Sequence, residues 1–259
     1  MDLALRGRRA LVTGASSGLG LACAQALAAE GCAVAIVARS PERLLAAAAT
    51  MPRRPGAGPD PGEAGAVPIV GDVTAPDGVD ELFRAAVDAL GGIDIVVANA
   101  GGPPPGNFAD TPFDRYAPAL QLNLLSTVAL CQATVPAMRE RGWGRVVAIT
   151  SISVREPIDR LILSNTARAG LTGFLKTLAR EVAAEGVTVN SLQPGLHATA
   201  RLQSVYGDDL ASVAAGIPTG TLGDPADFGR LAAFLCSNSA RFVTGAAIPV
   251  DGGATHGLQ

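Results

Sequence analysis

The stretch that decides the fold is Arg9-Ala10-Leu11-Val12-Thr13-Gly14-Ala15-Ser16-Ser17-Gly18-Leu19-Gly20. A short apolar run reads as a strand. Three glycines follow in a Gly-x-x-x-Gly-x-Gly spacing, and an Ala-rich segment with helical character comes directly after them. A strand, a glycine turn and a helix in that order suit a phosphate. The glycines let the backbone approach a pyrophosphate, and the first turn of the helix offers free N–H groups at the positive end of its dipole. Gly14, Ser16, Ser17, Gly18, Leu19 and Gly20 are therefore candidate cofactor-binding residues.

The same alternation continues along the chain. Strand-like runs at Arg9–Thr13, Ala33–Ala38, Ala66–Gly71, Ile93–Ala98, Gly144–Thr150, Val187–Leu192 and Ala246–Val250 are mostly continuous and apolar, as in strands covered on both faces. Helical segments at Gly18–Glu30, Pro41–Met51, Gly78–Leu90 and Thr166–Glu185 lie between them. This order predicts an α/β fold of the Rossmann type: one doubly wound domain over residues 1–259, with a seven-stranded parallel sheet and helices on both faces. The Pro/Gly-rich stretch Pro52–Gly62 reads as a surface loop. Gly101-Gly-Pro-Pro-Pro-Gly106 falls at the carboxyl edge of the sheet, where such folds bind ligands.

Composition narrows the function. The chain is 48% hydrophobic and 17% charged, with a net charge of −3. That balance is globular and argues against nucleic acid or an anionic membrane as a partner. No apolar run is long enough for a membrane span and no signal peptide is evident, so a cytoplasmic protein is expected. Cys23, Cys32, Cys131 and Cys236 form no Cys-x-x-Cys pair, so buried thiols are expected and neither a metal site nor a disulfide framework.

The second strand ends Ala38-Arg39, where NAD-binding folds place a carboxylate on the ribose hydroxyls. A guanidinium pairs instead with a 2′-phosphate, which favours NADP(H) over NAD(H). Asp72-Val73, at the end of the third strand, can meet the adenine.

These motifs together resemble the short-chain dehydrogenase/reductase family over nearly the whole chain, most of all its 3-oxoacyl-carrier-protein reductase-like members. Thr13-Gly14-x-x-x-Gly18-x-Gly20 is similar to the family's cofactor turn. Asn99-Ala100-Gly101, Asn123, Ser151, Pro194-Gly195, Thr199 and Val250-Asp-Gly-Gly253 match its further elements. The resemblance implies that Asn99, Gly101, Pro194, Gly195 and Thr199 line the cofactor, and that Ser151 and Asn123 belong to the catalytic set. It also implies a small-molecule substrate, an apolar carbonyl compound, and a homo-tetramer or homo-dimer.

One departure stands out. Where the family has Tyr-x-x-x-Lys, this chain has Ser164 and Arg168, as in an atypical subgroup. A serine hydroxyl is shorter than a phenol and a much weaker acid. Arg168 can hold ribose hydroxyls but stays protonated. An NADP-dependent oxidoreductase with a non-standard site is expected. A non-redox binding or partner protein, and a dehydratase, isomerase or cyclase on the same fold, are the alternatives.

Other proton sources are few. Tyr116 lies two helical turns before Asn123 and reads as a packing residue, and Tyr206 falls in the lid. His197 reads as a solvent-facing loop histidine with a lesser claim to chemistry. Glu156, Asp159 and Arg160 lie between Ser151 and Ser164, and His256 reads as exposed. The lid, Leu196–Leu222, carries no cluster of charge that would select an ionic group.

Overall fold

The computed structural model describes residues 2–52 and 66–258. Seven parallel strands form one sheet in the order β3-β2-β1-β4-β5-β6-β7. They are β1 Arg9–Thr13, β2 Ala33–Ala38, β3 Val67–Val70, β4 Ile95–Ala98, β5 Gly144–Ile149, β6 Val187–Pro194 and β7 Ala247–Val250. Strand order reverses between β1 and β4, and that switch point opens a crevice at the carboxyl edge. The glycine turn follows β1 and the Asn99 segment follows β4, so both stand at this crevice.

The predicted elements recur with small changes at their ends. β4 begins two residues late because Asp94 is taken up by Arg9, whose Nε and Nη2 donate to its carboxylate at 2.8 and 2.7 Å. β6 runs on to Pro194 because its partner β7 continues alongside, pairing Pro194 with Val250. Most of the loop expected at Pro52–Gly62 lies outside the described residues.

The first helices are α1 Gly18–Ala29, α2 Pro41–Ala49 and α3 Gly78–Leu90. The next, α4 Tyr116–Leu120, passes through a π-helical turn at Gln121–Leu125 into α5 Ser126–Glu140. The remaining helices are α6 Ile162–Val182, α7 Ala200–Tyr206, α8 Leu210–Ala215 and α9 Pro225–Cys236. α6 starts four residues before the expected Thr166, so Ser164 sits in its first turn.

Two apolar clusters sandwich the sheet. One face of β1, β2 and β4 packs on α1 and α9 through Leu27, Ile36, Ile95 and Phe228. The other packs on α3, α5 and α6 through Leu82, Leu130, Val146 and Leu175. With few aromatics the helices must come close. At Gly229 on α9 a Cβ would strike the backbone of Ala22 on α1, so this crossing requires glycine. The four cysteines are buried, and burial raises the thiols of Cys23 and Cys131 to about 12. Among the described residues no helix is long and apolar enough to cross a membrane.

Candidate active site

The glycine turn is fixed by the segment after β4. Thr13 Oγ1 donates to the Asn99 carbonyl at 2.8 Å and accepts from the Asn99 N–H at 3.0 Å. Asn99 Nδ2 donates to the Gly14 carbonyl at 3.0 Å. The contact is close enough that a Cβ at Gly20 would meet the Gly14 carbonyl, and would lie 2.6 Å from Asn99 Nδ2. Gly14 and Gly18 both have positive φ, at 58° and 59°, which glycine adopts without strain. Asn99 is thus tied into the turn and positions it. Ser16, Leu19 and Gly101 lie on the same two segments.

The end of β2 is cationic, as Arg39 suggested, and the structure adds a second guanidinium. Arg43, in the first turn of α2, donates through Nη2 to Ser17 Oγ at 3.3 Å. Arg39 is exposed and stands 3.8 Å from the Asp72 carboxylate. Asp72 is mostly engaged at home, where its Oδ1 accepts from the Thr74 N–H and Oγ1 at 2.9 and 2.8 Å. Val73 packs against the second apolar cluster. Arg43 escaped the sequence reading because a charged residue in an amphipathic helix reads as solvated. Its position four residues after Arg39 was the available signal.

The third wall comes from the segment after β6. Gly195 donates its N–H to the Val250 carbonyl at 3.0 Å, and a Cβ there would lie 2.8 Å from Asp251 Cβ. Asp251 in turn accepts from Gly253 and Thr255, which closes the Val250–Gly253 turn. Thr199 caps α7 and sits above the glycine turn, with its methyl 3.5 Å from where a Gly18 Cβ would be.

Ser151 stands just past β5 and accepts from the Ser153 N–H at 3.1 Å. Ser164 and Arg168 share one face of α6, a turn apart, and both are buried at 8% exposure. Arg168 Nη1 donates to the carbonyls of Ile149 and Thr150 at 2.9 and 3.0 Å, so the helix is fastened to the strand end immediately before Ser151. Burial, together with the charge of Arg201, lowers the Arg168 pKa to about 10. It still carries its proton at neutral pH. Ser164 Oγ makes no hydrogen bond with the described residues.

Asn123 lies in the π-turn, a deviation that often marks functional positions. Its Nδ2 donates to the Gly101 carbonyl at 2.7 Å, while its buried Oδ1 has no protein partner among the described residues. Glycine turn, Ser151, Asn123 and the Ser164/Arg168 pair thus border the same carboxyl-edge crevice.

The other candidates take structural places. His197 is buried and neither solvent-facing nor free: its ring meets Phe228 edge-on at 5.2 Å and its Nδ1 lies 3.2 Å from the Gly195 carbonyl. Burial lowers its pKa. Tyr116 meets the ring of Phe113 at a tilt, with centroids 6.5 Å apart, and the π-turn breaks the even two-turn spacing to Asn123. Tyr206 is exposed. Glu156 accepts the N–H groups of His256 and Gly257 and so holds the C-terminal segment. Lys176 Nζ donates to Gly245, far from the pair on α6.

A glycine turn at the switch point, a cationic β2 end and a polar cluster past β5 define an α/β protein of the dinucleotide-binding architecture. The comparisons place it more closely. A family model described as enoyl-(acyl carrier protein) reductase matches residues 14–255. The chain is 32% identical to the 3-oxoacyl-[acyl-carrier-protein] reductase FabG of Vibrio cholerae, covering 96% of this chain and 98% of that one. It is 33% identical to dehydrogenase/reductase SDR family member 4 of Sus scrofa, covering 98% and 89%. Among solved structures it superposes on L-sorbose reductase of Gluconobacter frateurii, a complex with NADPH and L-sorbose, with a TM-score of 0.89, 32% identity and full coverage of both chains. The chain belongs to the short-chain dehydrogenase/reductase family, and its named relatives are oxidoreductases.

Proposed function

We propose that the protein is an NADP(H)-dependent carbonyl reductase of the 3-oxoacyl reductase type, working with an altered proton path. The observation that carries this reading is the glycine turn locked against Asn99, flanked by the guanidinium groups of Arg39 and Arg43. The turn leaves no space for a Cβ at Gly20, and Arg43 is already oriented by Ser17. A ribose 2′-phosphate would meet two cations there, while of the nearby carboxylates Asp72 accepts from Thr74 and Glu42 from Ser40. The NADPH complex of the sorbose reductase lends this support at the level of the family.

When bound, the nicotinamide supplies the hydride. This chain's residues would do the rest as follows. Gly14 to Gly20 and Thr199 would hold the pyrophosphate region. Arg168, fixed on Ile149 and Thr150, would present part of its remaining N–H set to ribose hydroxyls. Ser151 Oγ would donate to the carbonyl oxygen of the substrate. Ser164 is too weak an acid for the role a lowered-pKa phenol plays, and Arg168 retains its proton. The proton would therefore come from water, for which Asn123 Oδ1 offers a buried acceptor, or from the substrate. Exposed Phe108 and Phe113 support association into the expected homo-oligomer.

The test is a screen of aldehydes, ketones and 3-oxoacyl thioesters, following loss of NADPH. Slow turnover that depends on Ser151 is expected, and Ser164→Tyr/Arg168→Lys should speed it. Absence of turnover on every carbonyl while NADPH binds tightly would favour the non-redox binding reading.

A further inference from the structure

Arg168 is almost wholly buried, yet it forms no ion pair among the described residues. Nη1 is committed to two carbonyls, while Nε and Nη2 take no protein partner and are not sealed from open space. A buried guanidinium is normally matched by a carboxylate, because an unpaired charge is costly to desolvate. Here the charged neighbour felt at Arg168 is another cation, Arg201.

Arg201, on α7 in the lid, lies across the segment after β4. A Cβ at Gly102 would be 2.6 and 2.7 Å from its two terminal nitrogens. Its side chain makes no hydrogen bond or ion pair with the described residues. Arg201 is no cluster of charge by itself: the second cation is contributed by α6, and only the fold brings the two together.

Position distinguishes this pair from the phosphate cradle. The pyrophosphate region lies at Gly14–Gly20, under Thr199. Arg168 is anchored beside Ser151, and Arg201 lies against Gly102, the residue after the Gly101 whose carbonyl Asn123 engages. Both guanidinium groups are therefore on the reacting side of the crevice.

We propose that Arg168 and Arg201 together hold a carboxylate carried by the substrate, so that the carbonyl compound reduced is an oxo acid. The inference rests on the carbonyl-reductase reading for the word substrate, though not for the anion site. A carboxylate relieves the repulsion between the two cations and is bound by charge-assisted bonds that a neutral ketone cannot make. It also anchors the substrate through the lid, so α7 closes over an acid and not over its ester.

Calorimetric titration of oxalate into the full chain, with and without saturating NADP+, tests this. Oxalate should bind, with at least a tenfold loss in Arg201→Gln and partial recovery in Arg201→Lys. The affinity for NADPH should change less than twofold in both variants. Arg201-dependent oxalate binding to the chain alone would uphold the site even if NADPH failed to bind, and only the cofactor reading would then fall. Two results overturn the inference: oxalate binding that Arg201→Gln leaves unchanged, or no oxalate binding at all, and a large loss of NADPH affinity in Arg201→Gln alongside the latter would assign Arg201 to the cofactor's phosphates.

Discussion

At position 197 burial has converted a titratable side chain into a packing group. His197 sits edge-on to Phe228, and a Cβ at Gly223 would meet its ring, so the imidazole pins the start of the lid to α9. Burial holds its folded pKa below the ordinary value of about 6.5. Above pH about 6.5 the ring is neutral in both folded and unfolded chains, and its packing contribution is intact. Below that pH the unfolded chain takes up a proton that the folded chain resists, so stability falls as pH falls towards the folded pKa. Protection of residues 196–223, taken as the exchange rate relative to the intrinsic rate at each pH, should therefore fall between pH 7.5 and about 5.5, and His197→Phe should remove most of that dependence. Equal protection at both pH values would mean that the ring is free. The sequence did not reveal this role. A lone histidine in a loop carries no local sign of burial, which is imposed by Phe228, 31 positions along the chain.

The elements were far more legible, because strands covered on both faces write themselves as apolar runs. β1 and β2 coincide with their predicted bounds, and so does α3. The differences arise where tertiary contacts decide the ends. Pairing with β7 prolongs β6, and α6 extends back over Ile162–Asn165, where no capping side chain announces its start. The π-turn at Gln121–Leu125 has no periodicity signature, although it sets the direction of Asn123. The glycine turn was legible for a physical reason: only glycine fits where Gly14 and Gly20 meet Asn99. Gly20→Ala should overpack this contact and cost about 1–3 kcal/mol, lowering the melting temperature and abolishing nucleotide binding. A variant that melts and binds like the native chain would show that the turn has slack and that Asn99 does not set it.

At the scale of the molecule, the fold collects residues from seven segments at one sheet edge. The turn after β1, the end of β2 with α2, the segments after β4, β5 and β6, the π-turn and the start of α6 each contribute. Charge is distributed with them. Arg39 and Arg43 stand at one end of the crevice, and Arg168 and Arg201 at the other. Sequence patterns exposed the first end only in part, through Arg39, and missed the second end as a pair. Positions 168 and 201 belong to different elements and carry no shared motif. The departure at Ser164 and Arg168 was visible at once because the surrounding helix is otherwise regular. Its consequence is geometric: Arg168 ties α6 to β5 and keeps a fixed positive charge where a titrating pair would stand.

The central claim is that this crevice binds NADP(H) through its glycine turn and its β2-end cations. The measurement that tests it most directly is titration of the purified chain with NADPH and with NADH, followed by nucleotide fluorescence. NADPH should bind more tightly than NADH. Arg39→Ala and Arg43→Ala should each weaken NADPH by about tenfold, or about 1.4 kcal/mol, and leave NADH nearly unchanged. Equal binding of both nucleotides, unaffected by either substitution, would contradict the assignment of the cationic end. Absence of binding by either nucleotide would contradict the account as a whole.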